Sequence, residues 1–180
     1  MVPYILVGVF VFVVVNLLLA LSTTYSPIPY FPTQSSDLRL IVKSLNLSKN
    51  DILFDLGSGD GKILLSAARL TPMKKGVGVE IHPFLVTLSN IRAFWQGASQ
   101  VHTELKSIFK TNLDEATVIY LYVGNKMMPS ILEYISKTPH PKLVRLVSYM
   151  YDFSDNTPLT KKFKKTVLQG KNKVFVLEKD

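Results

Sequence analysis

The stretch that decides the fold is Ile52-Leu53-Phe54-Asp55-Leu56-Gly57-Ser58-Gly59-Asp60-Gly61-Lys62. An apolar run of β-forming residues contains an acid, three glycines follow at alternate positions, and an apolar helical pattern then begins. This order predicts a buried strand, a tight turn and a helix. A turn that brings bare backbone to the start of a helix is typical of a site for a nucleotide-type cofactor.

The spacing of the glycines indicates which cofactor this turn binds. A dinucleotide site has the pattern G-x-G-x-x-G, and here the position of its third glycine is taken by Lys62. Asp55 and Asp60 would also repel a pyrophosphate. They suit S-adenosylmethionine, which has an ammonium and a sulfonium group and no phosphate. Glu80, which ends the next predicted strand, could accept hydrogen bonds from both ribose hydroxyls.

Apolar periodicity extends this prediction to the whole domain. We expect helices at residues 37–47 (capped by Ser35 or Ser36), 62–70, 83–96 and 127–136, strands at 52–56, 76–80, 100–104, 117–123 and 143–148, and two final strands at 163–168 and 173–177. Strands that alternate with helices form a parallel sheet covered on both faces. Between the last two strands, Gln169-Gly170-Lys171-Asn172 predicts a hairpin turn. The predicted fold is therefore α/β, a doubly wound, mostly parallel, seven-stranded Rossmann-like sheet with a C-terminal antiparallel hairpin.

An uncharged apolar run from Tyr4 to Leu21 precedes this domain. At about 1.5 Å per residue it is close to the shortest helix that spans a bilayer. We expect one transmembrane helix within residues 1–22. A cleaved secretory signal and a buried core helix are the alternatives, but no basic residue precedes the run and it is apolar all round. Every Lys and Arg follows the run, which predicts a single-pass membrane protein with its catalytic domain on the cytoplasmic side.

Residues 23–36 form a proline-rich linker, either a stiff spacer or a lid over the cofactor, and residues 37–180 form the catalytic domain. The net charge of +8 indicates an acidic, lipid or nucleic-acid partner. The chain has no cysteine, and its three histidines lack ligand spacing, so we predict no metal site. The basic run at 161–165 could face anionic lipid, bind RNA or guard an edge strand.

Asp55-Leu56-Gly57-Ser58-Gly59-Asp60-Gly61, with Glu80 downstream, resembles the class I S-adenosylmethionine-dependent methyltransferases. The apolar N-terminus, Pro29-Tyr30-Phe31-Pro32-Thr33, Gly78-Val79-Glu80 and Lys126-Met127-Met128 are similar to the FAM173-type membrane-anchored protein lysine methyltransferases. That resemblance implies a lysine acceptor on a membrane-embedded protein. It also implies that Pro29–Thr33 forms an active-site lid, and that Asp55, Gly57, Gly59 and Glu80 contact the cofactor.

The chain departs from this family pattern at two places. Ser107 stands where the family has an acid near the adenine, and a serine oxygen can still accept a hydrogen bond there. The fourth predicted strand lacks the Asn-Pro-Pro-Tyr pattern of amide-nitrogen or adenine methyltransferases, so a nucleic-acid partner is not expected. The predicted cofactor contacts are thus Asp55, Gly57, Ser58, Gly59, Asp60, Gly61, Glu80 and Ser107.

An amine acceptor would bind among aromatic faces and polar oxygens. The candidate residues for this pocket are Tyr30, Phe31, Thr33, Tyr122 and Asn125. Tyr122 could instead be a core residue, and Asn125 could instead cap a helix. We expect a methyltransferase for protein lysine. The alternatives are methylation of a lipophilic small molecule or of RNA, and a cofactor-binding membrane scaffold without turnover.

Overall fold

The structure, a computed structural model, describes residues 6–14, 32–153 and 157–179 of the 180-residue chain. The chain divides into two compact units, Met1–Phe31 and Pro32–Asp180. In the first unit, residues 6–14 are helical (α1). Within the described ranges, no helix combines the length and the apolar character needed to cross a bilayer.

The second unit is a mixed seven-stranded sheet with helices, as predicted. Its elements are α2 (Leu38–Leu45), β1 (Ile52–Leu56), α3 (Lys62–Leu70), β2 (Lys75–Glu80), α4 (Pro83–Trp95), β3 (Val101–Leu105), a 3-10 helix (Ile108–Lys110), β4 (Val118–Leu121), α5 (Met128–Lys137), β5 (Arg145–Tyr149), a second 3-10 helix (Thr160–Lys162), β6 (Lys164–Gln169) and β7 (Lys173–Glu178). The strand order is β3-β2-β1-β4-β5-β7-β6. The first five strands pair in parallel, and β7 pairs antiparallel with both β5 and β6. The predicted hairpin is confirmed, with β6 at the edge of the sheet.

The sheet is covered on both faces, which explains why β1 is buried at every position. Phe54 and Leu56 point into one apolar cluster, which includes residues of α5. Leu53 points to the opposite face, into a cluster that includes residues of α2, α3 and α4. Since neighbouring side chains of a strand alternate between faces, Asp55 shares the face of Leu53 and of these three helices.

Two differences from the predicted elements bear on the candidate site. The fourth strand, predicted to reach residue 123, ends at Leu121 because its pairing ends there, with Leu56 on β1 and Ser148 on β5. Tyr122 therefore lies in the loop after the strand. The cap of α2 is Asp37 rather than a serine, and the Asp37 side chain makes no capping hydrogen bond to the helix.

The Asp37 carboxylate instead holds the C-terminal hairpin. Its oxygens accept hydrogen bonds from the backbone amides of Lys171 and Asn172, both at 2.8 Å, and from the Tyr149 hydroxyl at 2.9 Å. Burial opposes ionisation of Asp37, but these hydrogen bonds outweigh it and lower the pKa of the carboxyl. The last hairpin is thereby tied to the start of α2.

Candidate active site

The glycine turn after β1 uses its backbone amides inside the protein. The amides of Gly57 and Ser58 donate to the Val79 carbonyl at 2.8 and 3.1 Å. The amide of Gly59 donates to Glu80 Oε2 at 2.9 Å. A phosphate cradle needs such amides to point at the ligand. These three are already engaged, which agrees with the prediction that the turn does not bind a pyrophosphate.

Close packing of α4 fixes the far side of the turn. Gly61 has a φ of +77°, and a Cβ atom there would lie 2.1 Å from Ser89 Oγ on α4. Asp60 forms an ion pair with Arg92, also on α4. The charge of Asp60 is therefore balanced within the protein, and the predicted contact between Asp60 and the cofactor stays a prediction.

Glu80 is held rigidly at the end of β2. Oε1 accepts hydrogen bonds from the amides of Ile81 and His82 at 2.8 and 2.9 Å, and Oε2 accepts the one from Gly59. A carboxylate has room for about four hydrogen bonds, so one position remains for a ligand hydroxyl. Glu80 and the turn thus form one rigid corner at the carboxyl edge of the sheet.

Asp55 lies beside this corner with only 2% of its surface exposed. It is in register with Gly78 on β2 and with Tyr120 on β4. Burial, together with the carboxylates of Glu80 and Asp60, raises the pKa of Asp55 well above its usual value. A cation placed near Asp55 would stabilise its ionised form, which agrees with the prediction of a cofactor that has a positive end.

Three buried polar atoms around these acids lack a hydrogen-bond partner among the described residues: Ser58 Oγ, His82 Nδ1 and the Tyr120 hydroxyl. Buried polar atoms are nearly always paired, so a cluster of unpaired ones indicates a ligand site. Tyr120 neighbours the Thr33 side chain, which partly offsets the pKa increase that burial and Asp55 impose on Tyr120. No hydrogen bond of ordinary geometry joins the two hydroxyls. The site fits a ligand with several donors and acceptors, such as a nucleoside joined to an amino acid.

The segment before α2 lies against the start of α3. Lys62 Nζ donates to the Thr33 carbonyl at 2.5 Å and to Ser35 Oγ at 3.0 Å. Thr33 is 8% exposed. We call residues 32–36 the strap. Tyr30 and Phe31 lie outside the described residues, so their part in the acceptor pocket stays a prediction.

Tyrosines surround the end of β4. Tyr122 is partly buried, and its ring lies 5.0 Å from the Tyr149 ring and 6.0 Å from the Tyr151 ring, nearly parallel to the latter. Its hydroxyl is 3.3 Å from the sulfur of Met150. Asn125 is exposed and does not cap α5, whose cap is Met127, so the capping alternative for Asn125 was wrong.

Ser107 caps the first 3-10 helix and lies two residues after the end of β3. Its neighbour Ile108 approaches the turn, since Ile108 Cδ1 lies 4.0 Å from where a Gly57 Cβ would be. Ile81, after Glu80, is 42% exposed at the same edge. These two apolar side chains, which the sequence argument missed, could flank a flat base. The sequence did offer a signal, because an isoleucine directly follows each of the two predicted polar contacts, Glu80 and Ser107.

Comparisons with known proteins agree with this geometry. The family model described as the ANTKMT methyltransferase domain matches residues 55–160. A protein-lysine N-methyltransferase of Saccharolobus islandicus (strain REY15A) is 30% identical over 139 residues, covering 75% of this chain and 84% of the relative. A lysine N-methyltransferase of Xenopus laevis that is named for a subunit of ATP synthase is 29% identical over 133 residues, 73% of this chain and 57% of that protein.

A solved structure shows the cofactor class. An RNA methyltransferase from Salinibacter ruber in complex with S-adenosyl-L-homocysteine superimposes with a TM-score of 0.70 at 27% identity, covering 83% of this chain and 95% of that one. S-adenosyl-L-homocysteine is what S-adenosylmethionine becomes when it has given up its methyl group. The chain therefore belongs to the ANTKMT methyltransferase domain family and is an S-adenosylmethionine-dependent methyltransferase.

Proposed function

We propose that this chain transfers a methyl group to the side-chain amine of a lysine in a protein. The observation that carries the proposal is the tyrosine cluster of Tyr122, Tyr149 and Tyr151 at the same edge of the sheet as Asp55 and Glu80. An aromatic wall next to a methyl donor suits an amine, whose methylated product is a cation that aromatic faces attract. Relatives named as lysine N-methyltransferases support this choice.

On the donor side, each residue has a separate task. S-adenosylmethionine supplies an activated methyl group on a cationic sulfur. Asp55 balances the positive end of the cofactor, and Glu80 accepts a ribose hydroxyl with its remaining lone pair. Ile81 and Ile108 flank the base. The turn, tied to β2, holds these groups in place, and alignment of the two reactants is the main requirement of such a displacement.

On the acceptor side, the lysine amine must be neutral to attack. Burial raises the pKa of Tyr122, so its hydroxyl stays protonated at neutral pH and does not serve as a base. The hydroxyl oxygen can accept an N–H bond and orient the amine lone pair towards the methyl group. The new C–N bond forms as the C–S bond breaks, and the methylated amine then loses a proton to water. The strap, which includes Thr33, excludes water from this step. Tyr30 and Phe31 stay candidates for the same lid from the sequence alone.

We further propose that residues 1–22 anchor the chain in a membrane, with 23–36 as linker and lid and 37–180 as the catalytic domain on the cytoplasmic side. The support is the apolar run from Tyr4 to Leu21 and the position of every basic residue after it. The Xenopus laevis relative, named for ATP synthase, supports an acceptor that is itself a membrane protein. Deleting residues 1–22 should make the protein extractable from membranes by alkaline carbonate, and attachment that resists carbonate in both the deleted and the full-length chain would count against the anchor.

RNA is the second candidate acceptor, because the Salinibacter ruber structure is an RNA methyltransferase. A lipophilic small molecule and a scaffold without turnover are the remaining alternatives. The deciding experiment is transfer of a tritiated methyl group to membrane extracts, followed by protease or RNase treatment, with Asp55→Ala as the inactive control. Label that protease releases as peptides supports the proposal. Label that survives protease in RNA or lipid would reject it, and the absence of any transfer would favour the scaffold.

A further inference from the structure

Helix α4 presents its apolar residues to solvent. Phe84, Ile91, Phe94 and Trp95 are 48%, 51%, 84% and 83% exposed. Phe84, Ile91 and Trp95 recur at helical spacing, so they form one continuous stripe with Phe94 at its side. Exposed apolar surface of this extent normally marks an interaction site.

The inward face of α4 explains why the stripe points out. Ser89 and Ala93 are the buried residues of this helix, and both are small. Arg92 turns inward to pair with Asp60. Small residues let α4 approach the glycine turn closely, as the contact between Ser89 and Gly61 shows. Packing within the domain therefore uses the small residues most fully, half-buries Leu85, Val86 and Leu88, and leaves the residues of the stripe outside.

The charged residues of the helices on this face of the sheet are all basic. Helices α2, α3 and α4 lie on one face of the sheet, and none of the three contains an Asp or a Glu. The exposed charged residues of this layer are Arg39 and Lys43 on α2 and Arg69 on α3. The layer thus combines exposed cations with an exposed aromatic stripe.

We propose that the layer of α2, α3 and α4 docks on an anionic lipid bilayer, with the stripe of α4 inserted at the interface. Trp and Phe partition into the headgroup region, and Lys and Arg are attracted to anionic lipids. A protein partner fits less well, because the centres of protein interfaces are depleted in charge and this layer has no counter-charges of its own. The inference does not depend on the identity of the methyl acceptor.

Docking in this way would hold the active site at the level of the headgroups. Helices α3 and α4 both begin at the catalytic edge of the sheet, α3 with Lys62 and α4 directly after His82. The strap contacts the first residue of α3. Upstream of the strap, the sequence holds the apolar run from Tyr4 to Leu21, which is the proposed anchor.

Trp95 is the only tryptophan of the chain, so its fluorescence reports on this surface alone. The full chain should be reconstituted in vesicles of phosphatidylcholine, with or without phosphatidylglycerol, whose acyl chains are brominated or plain. We expect brominated chains to quench Trp95, and quenching to be stronger with phosphatidylglycerol. Ile91→Glu with Phe94→Glu should abolish quenching, whereas Val167→Glu, at an apolar site on β6 that is exposed to about the same extent as Ile91, should not.

Charge reversal separates the cations from the apolar stripe. Each of Arg39→Glu and Lys43→Glu should weaken docking at least about fivefold. Lys161→Glu and Lys162→Glu, exposed on the second 3-10 helix, serve as controls.

The proposal is overturned if the chain floats with the vesicles and Trp95 still has the emission maximum of a water-exposed indole. A blue-shifted but unquenched Trp95, which indicates cover by a second copy or another protein, would also overturn it. Equal quenching in vesicles without phosphatidylglycerol would contradict the proposed preference for anionic lipid. No acceptor is present, so these outcomes are independent of the proposed lysine activity.

Discussion

The ammonium of Lys62 lies 2.5 Å from the backbone carbonyl of Thr33. It joins the first residue of the helix after the glycine turn to the strap. The lysine that takes the place of a dinucleotide glycine thus holds the strap against the start of α3, next to the glycine turn.

Replacing Lys62 by methionine should loosen the strap without removing the turn. Lys62→Met keeps a long side chain but loses the bonds to Thr33 and Ser35, each worth about 1.5–3 kcal/mol when the donor is charged. We expect faster hydrogen–deuterium exchange at residues 33–36 and methyl transfer reduced about tenfold or more. S-adenosylmethionine affinity should change less than transfer. Lys49→Met, at an exposed site before β1, is the control. Unchanged hydrogen–deuterium exchange in the strap would show that the hydrogen bonds from Lys62 do not restrain it.

Replacing Glu80 by glutamine should weaken cofactor binding. The amide side chain loses the charge and an acceptor oxygen, so it can no longer bind the amides of Gly59, Ile81 and His82 as the carboxylate does. The expected loss is about 1.5–3 kcal/mol, or roughly 10- to 150-fold in the dissociation constant by calorimetry. Glu104→Gln, a partly exposed carboxylate on β3, should bind normally. If Glu80→Gln and the parent protein bind S-adenosylmethionine with equal affinity, Glu80 does not contact the cofactor.

Cofactor binding should release a proton from Asp55. Burial and two neighbouring carboxylates raise its pKa in the free protein. A cationic ligand favours the ionised form and lowers that pKa again. Affinity should therefore rise with pH between the bound and the free pKa values, and be flat above the free one. Titration calorimetry in two buffers of different ionisation enthalpy measures the released proton directly. In Asp55→Asn this release should vanish, and if it persists another group is responsible.

Removing the Asp37 carboxylate should destabilise the domain. Asp37→Asn weakens the bonds to Lys171, Asn172 and Tyr149, at an expected cost of about 1–3 kcal/mol near neutral pH. The folded pKa of Asp37 is lowered, so its stabilising effect is complete above the unfolded value of about 3.9 and is lost as pH falls through the folded value. Urea unfolding should show the parent's advantage shrinking below about pH 4. Asp152→Asn, an exposed partner of Lys165, should cost little, and an advantage that is constant with pH would contradict the ionic role of Asp37.

The fold, and the placement of Asp55, the glycine turn and Glu80 at one edge of the sheet, were predictable because they depend on local sequence patterns. Three glycines at alternate positions and an acid at the end of each of two strands place Asp55, the turn and Glu80 together in any parallel sheet. The contact of Asp37 with Asn172 spans 135 positions in the sequence, so no local pattern indicates it. The pairing of Asp55 with Tyr120 depends on the order of strands, since β4 lies next to β1 only after the chain has crossed the sheet.

The outward orientation of the α4 stripe could not be predicted from the sequence either. A helix that is apolar on most sides does not show by periodicity which side is buried. The direction was decided by Ser89 and Ala93, whose small size lets α4 pack against Gly61. Similarly, the length of β4 depends on where Leu56 and Ser148 stop pairing, and this left Tyr122 in the loop where it meets the other tyrosines.

The most direct test of the proposed lysine activity is mass spectrometry of membrane proteins incubated with the full chain and S-adenosylmethionine carrying a trideuterated methyl group. We expect the deuterated methyl group on the ε-nitrogen of a lysine in a membrane protein, and none with Asp55→Ala. Deuterated methyl found only in RNA or lipid, with no labelled lysine although the cofactor binds, would contradict the proposal.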